Sequence, residues 1–240
     1  MPTTFDVSSC ECPQIVKDFL FYMMTIKGRS PRTVQAYYTD LRFFLRYLKA
    51  SRNHLPMDSE NLEDILVSDV PISMIQSVTI SDAYGFLNFV QTVNDNHANT
   101  RARKVSSLRA FYHYLTSKTN VLEVDPFKDL ETPSLRKSVP KYLTLEESKQ
   151  LLSVVDGPYR ERDYCILTLL LNCGMRLSEL VGIRLERIRD NTLVLLGKGN
   201  KERLIYLNEA CLNALEVYQR VRKEPVRAQY RSVLFLSRNG

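Results

Sequence analysis

The sequence predicts a mainly α-helical fold with one small antiparallel β-hairpin, arranged as a helical bundle followed by a mixed α+β domain. Three observations lead there. Apolar residues recur at steps of three and four along the first half, prolines break that pattern at Pro126, Pro133 and Pro140, and two strand-like segments flank a Gly197-Lys198-Gly199-Asn200 turn in the second half. A length of 240 residues, 44% apolar and 25% charged with only 8 Gly, suits one or two globular domains and excludes a disordered or collagen-like chain.

Each element has its own signal. Ile15, Val16, Phe19, Leu20 and Met23 mark an amphipathic helix over residues 13–27, with Gly28 as its left-handed end. Ser30 is an N-cap and Pro31 the first helical residue of a second helix whose apolar face is Val34, Tyr37, Tyr38, Leu41, Phe44, Leu45 and Leu48. Its other face is a polar and basic stripe of Gln35, Thr39, Arg42, Arg46 and Lys49. Residues 81–93 and 100–117 give two more helices, the last with Val105, Leu108, Phe111, Tyr112 and Leu115 inward and Arg101, Arg103, Lys104 and Arg109 outward. The spacing of Tyr37, Tyr38, Tyr112 and Tyr114 assigns them mainly to packing. Four main helices thus form a bundle over residues 13–119, and residues 120–140 read as a linker.

In the second domain, residues 141–240, Thr144 and Glu147 form a capping box that opens a helix to about residue 155. A helix over residues 159–172 is apolar almost all round and is expected to be the buried core helix, ended by Gly174. A short helix over residues 177–182 follows, then strands at residues 192–196 and 203–207. Asn208 caps a helix to about residue 221, and an apolar run starts at Val233.

Charge is distributed unevenly. Through Pro133 there are 14 basic and 15 acidic residues, a net −1; beyond it there are 19 and 12, a net +7. Residues 53–97 carry seven acidic residues and no Lys or Arg between two basic segments, which predicts a phosphate-facing side and an opposite side kept away from nucleic acid. The overall charge of +6 is a mild bias toward polyanions. No apolar run approaches the about 20 residues of a membrane helix, and residues 1–13 lack the basic start and apolar core of a signal peptide, so a cytoplasmic location is expected. Cys10, Cys12, Cys165, Cys173 and Cys211 form an odd set without a CxxC pair or nearby histidines, which reads as thiols rather than disulfides or a zinc site.

The segment Leu171-Asn172-Cys173-Gly174-Met175-Arg176-Leu177-Ser178-Glu179-Leu180 is followed in order by Gly197-Lys198-Gly199-Asn200-Lys201-Glu202-Arg203. Together these closely resemble the tyrosine recombinases of the Xer and phage-integrase type. Ser30-Pro31-Arg32-Thr33-Val34 with Tyr37, and Val139-Pro140-Lys141-Tyr142-Leu143-Thr144, extend the resemblance over most of the chain. It implies a core-binding domain and a catalytic domain that close around duplex DNA, site-specific strand cleavage and rejoining through a 3′-phosphotyrosyl intermediate, and no metal or nucleotide cofactor.

Phosphoryl transfer without a metal needs a fixed cation on the nonbridging oxygens, and a guanidinium supplies two parallel donors. The resemblance gives Arg176 that role, with Glu179 expected to pair with Arg176 or Arg184 and orient it. It gives Lys198 the protonation of the departing 5′ oxygen, which an ammonium of lowered pKa can perform. Lys201 and Arg203 compete for that role, but their neighbours favour phosphate anchoring. Arg42, Arg46, Lys49, Arg101, Arg103, Lys104 and Arg109 are expected to contact phosphates, or base edges where a helix enters a groove.

The resemblance also implies a His-x-x-Arg motif, a further His or Trp and a tyrosine nucleophile beyond the hairpin. His54, His97 and His113 precede residue 120 and none is followed by Arg three positions later; Tyr206, Tyr218 and Tyr230 lie too early to match the nucleophile. A second domain incomplete at its C-terminus, a cleavage-inactive chain, and a monomer or weak dimer in place of the family's DNA-bound tetramer are therefore expected. A noncatalytic DNA-binding role is the alternative. An incomplete covering layer is expected to leave apolar surface on the second domain.

Overall fold

A computed structural model describes residues 5–56, 58–93, 97–134, 139, 141–197 and 201–238. The chain divides into two units, Met1–Ser138 and Val139–Gly240.

The first unit is helical. Helix α1 (Gln14–Phe21) runs into a π-helical turn (Tyr22–Ile26), and Gly28 at φ +58° lets the Arg29 N–H reach back to the Met23 carbonyl at 2.9 Å. Helix α2 (Pro31–Arg52) starts where expected: Ser30 Oγ accepts from the Thr33 N–H and Pro31 fills the first turn. Two short helices that periodicity did not reveal, α3 (Ser59–Glu63) and α4 (Ile72–Gln76), precede α5 (Ile80–Thr92) and α6 (Ala98–Ser117). Both are five residues long, too short for a helical repeat to register in sequence. Rings dominate the core. Phe19 meets Phe111 at 5.3 Å, Phe44 meets Phe86 at 5.1 Å and Tyr112 meets Phe127 at 4.5 Å between centroids, edge-to-face geometries that add to the area they bury.

Phe127 and Leu130 are fully buried in that core. The first half of residues 120–140, read as linker, is therefore packed as part of the first unit. Proline punctuation marks where helices stop, but not whether the irregular chain beyond them carries core side chains.

In the second unit the Thr144–Glu147 capping box opens α7 (Leu145–Ser153), and α8 (Arg160–Cys173) packs on α10 (Glu209–Val221), itself capped by Asn208. Only Cys165, Thr168 and Leu169 of α8 are buried, while Tyr164 and Leu171 are 39% and 38% exposed. The apolar centre, expected to be buried all round, is thus covered on one face only. Between them lie α9 (Leu177–Val181), a 3₁₀ turn (Leu185–Arg187) and a sheet of β1 (Ile188–Arg189), β2 (Thr192–Leu196) and β3 (Glu202–Tyr206). The order is β1-β2-β3, antiparallel, with Leu193 opposite Ile205 and Leu196 opposite Glu202. Leu193 and Leu195 point into the core, as the period of two requires. The run at Val233 folds back: Leu234 N–H donates to the Ile183 carbonyl at 2.9 Å, and Tyr218 Oη–H to the Leu234 carbonyl at 3.1 Å. No helix of the described residues is long and apolar enough to cross a membrane.

Candidate active site and nucleic-acid interface

Gly174, at φ +56°, ends α8 in the left-handed conformation and turns the chain into α9. Met175 is buried, anchoring that turn, and Arg176 takes the N-cap position of α9 in extended conformation. Its side chain is 69% exposed, so the guanidinium projects to solvent from a seated backbone.

Glu179 holds it there. The carboxylate is buried, with its side chain 3% exposed, and it accepts the Arg176 backbone N–H at 2.7 Å on Oε2 and Arg176 Nη1–H at 3.0 Å on Oε1. A second guanidinium reaches the same group from β3, Arg203 Nη2–H donating to Oε2 at 2.8 Å. These donors, the Arg176 backbone N–H first, hold the Glu179 carboxyl below its ordinary 4.5 despite burial, so it stays ionised across the neutral range. Of the two partners expected for Glu179, Arg176 is found. Arg184 instead donates to Ser232 Oγ at 2.6 Å. Arg203, 24 residues away in sequence, was missed because only the β2–β3 register brings it over α9.

The hairpin opens beside this cluster. A Cβ on Gly197 would lie 3.5 Å from Glu179 Oε1 and 3.3 Å from the Lys201 carbonyl oxygen, and the Gly197 N–H donates to that carbonyl at 2.8 Å. A side chain there would crowd the Lys201 carbonyl that accepts the Gly197 N–H, while meeting the Glu179 carboxylate at ordinary contact distance. Lys198, the next residue, lies outside the described residues, as do Gly199 and Asn200. Lys201 is exposed at the base of β3. Tyr218 is buried with its hydroxyl engaged by Leu234, a packing residue.

In the first unit the basic residues separate into two groups. Arg46, expected on the outer stripe of α2, is buried and donates Nε–H to the Ile65 carbonyl at 2.9 Å. Lys49 is drawn to the Leu66 carbonyl at 2.9 Å and to Asp69 at 2.6 Å, and Arg52 lies 3.4 Å from Asp82. The acidic segment therefore covers the lower half of the basic stripe, where charge counting had placed it on an opposite side. Arg42 is half-buried, its guanidinium 5.2 Å over the Tyr38 ring with Nη1–H donating to the Tyr38 hydroxyl at 3.2 Å.

On α6, Lys104 corrects the expected outward face: it is buried, 3.3 Å from Asp40 and 4.6 Å over the Phe43 ring. Arg103 is exposed while pairing with Asp40 through Nη1, and Arg109 is exposed further along. Arg101 is half-buried and engaged. The outward side of α6 is thus Arg103, Ser106, Arg109, His113 and Ser117, at helical steps of three and four.

A helical unit with an arginine-bearing helix face is thus followed by a unit in which a carboxylate-braced arginine lies beside Gly197 at the end of β2. Residues 141–240 match the Phage integrase family. Over 227 residues the chain is 49% identical to the tyrosine recombinase XerC of Caldanaerobacter subterraneus subsp. tengcongensis, covering 94% of this chain and 64% of that protein. It is 31% identical over 232 residues to the tyrosine recombinase XerD of Listeria innocua serovar 6a, covering 94% and 71%. The chain thus spans about two thirds of the length of these relatives. Among solved structures, the Tn1549 transposon integrase in complex with transposon right end DNA superposes with a TM-score of 0.63 at 20% identity, over 94% of this chain and 72% of that one. A lambda integrase dimer bound to a COC′ core site does so with 0.62 at 14%, over 93% and 74%. The chain belongs to the tyrosine recombinase family.

Proposed function

We propose that this chain binds duplex DNA for site-specific recombination, with Arg176 on the scissile phosphate, Lys198 as donor to the departing 5′ oxygen, and Arg42, Arg101, Arg103, Arg109 and Lys201 as contacts to the flanking backbone. The observation that carries the reading is Arg176 itself, exposed at its tip yet fixed at its base by a buried carboxylate, within a sequence 49% identical to a tyrosine recombinase. A guanidinium held this way meets developing phosphoryl charge without first reorganising. Arg46 and Lys104 are structural in this reading, and Lys49 is committed to Asp69.

The same reading makes these 240 residues binding-competent and cleavage-inactive by themselves, because none matches the tyrosine nucleophile or the His-x-x-Arg. It also makes them a monomer or weak dimer, acting in the cytoplasm, where the intact family member is a tetramer on DNA. Titration of a mixed-sequence duplex at two ionic strengths tests it. Five or six phosphate contacts predict a loss of about 10³ in affinity between about 50 and 200 mM salt. Salt-insensitive or absent binding would point instead to a helical interaction scaffold. On a denaturing gel with nicked duplex, no covalent protein–DNA band is expected, and such a band would refute the inactive assignment.

A further inference from the structure

Arg203 is exposed enough to touch DNA, and its charge alone would suggest a phosphate anchor. Its geometry points elsewhere. The guanidinium donates to Oε2 of Glu179, the same oxygen that accepts the Arg176 backbone N–H, while Oε1 takes Arg176 Nη1. One buried carboxylate is therefore shared by two arginines from different elements, α9 and β3. The sharing has a consequence for charge. Glu179 with Arg176 alone sums to zero, and a neutralised guanidinium attracts phosphate weakly; with Arg203 the cluster carries a net charge of +1. It also has a consequence for shape, since Arg203 ties the strand that follows the hairpin to the start of the helix that presents Arg176. Gly197, at which a Cβ would lie 3.5 Å from Glu179 Oε1, places the other side of the hairpin beside the same carboxylate.

We infer that Arg203 is a positioning residue, acting through Glu179 to keep Arg176 oriented and charged toward the DNA backbone, and is not itself a phosphate contact. This rests on the recombinase reading of Arg176, but the clamp can be measured without DNA. In the full chain, the guanidinium proton signals of Arg176, assigned by their loss in Arg176→Lys, are expected to be dispersed in the wild type. They should collapse to solvent-averaged positions in Arg203→Gln and Arg203→Ala, while the thermal midpoint moves little.

With a mixed-sequence DNA duplex as probe, Arg203→Ala is expected to weaken binding about fivefold, yet to cost nothing further in the Arg176→Ala background. A direct contact predicts the opposite: losses that multiply, a salt slope shallower by about one unit, and undisturbed Arg176 signals. That outcome would overturn the inference. Absence of salt-dependent binding by the wild type would instead overturn the DNA reading, leaving the guanidinium signals to decide the clamp.

Discussion

Replacing Asp40 by Asn will destabilise the first unit by about 3–5 kcal/mol, the usual cost of leaving one member of a buried ionic cluster without its partner. Asp40 is 1% exposed on α2 and binds three side chains of α6: Arg103 Nη1 and Ser107 Oγ, the latter at 2.7 Å, on Oδ2, and Lys104 Nζ at 3.3 Å on Oδ1. All three donate, and an ionised carboxylate only accepts. An amide at the same place must turn its NH₂ toward at least one of them. It also leaves the Lys104 ammonium buried over Phe43 and Phe86 without a counter-charge. An exposed pair such as Arg220–Glu216 is worth under about 1 kcal/mol, so the two losses are easily separated. Urea unfolding followed by circular dichroism, with hydrogen exchange to localise the loss to α2 and α6, measures it. Lys104→Met added to Asp40→Asn should recover part of the loss. A cost under about 1 kcal/mol for Asp40→Asn would mean that water reaches the cluster and that it does not set the α2–α6 pairing.

The same cluster shows what sequence alone could carry. Ser30-Pro31, the Thr144–Glu147 box and Asn208 announce helix starts, because a cap is a local hydrogen-bonding requirement written into adjacent residues. The Gly174-to-Glu179 stretch was equally legible, since Arg176 and Glu179 lie three residues apart on one turn. Burial of a long basic side chain is not local. Helical spacing puts Arg46 and Lys104 outside by default. What draws them in is the Ile65 carbonyl for one and Asp40 for the other, 19 and 64 residues away. Arg203 follows the same logic: its partner is fixed by strand register and by the turn after α8, neither of which fixes a side-chain contact until both are folded. Charge counting failed at residues 53–97 for a related reason. A surplus of carboxylates opposite a surplus of cations is as well satisfied by folding the two together, as Lys49–Asp69 and Arg52–Asp82 do, as by holding them apart.

Phe127→Ala is expected to cost the first unit about 3–5 kcal/mol, the range for removing a fully enclosed ring. The ring sits edge-on to Tyr112 and to Phe44, at 4.5 and 6.2 Å between centroids, beneath a turn in which the Phe127 N–H donates to Asp125 Oδ1 at 2.9 Å. Val124, three residues earlier and 75% exposed, is the internal control: Val124→Ala should lie within about 0.5 kcal/mol of wild type. Equal small effects at both positions, read by urea unfolding, would restore residues 120–130 to the status of a linker. The expected difference sets where the first unit can be cut. A piece ending at residue 119 loses Phe127 and Leu130 and leaves Tyr112 and Phe44 facing water, whereas one ending at residue 134 keeps them. The longer piece should therefore unfold cooperatively, and the shorter one should lose stability comparable to the Phe127 variant or greater, because it forfeits Leu130 as well.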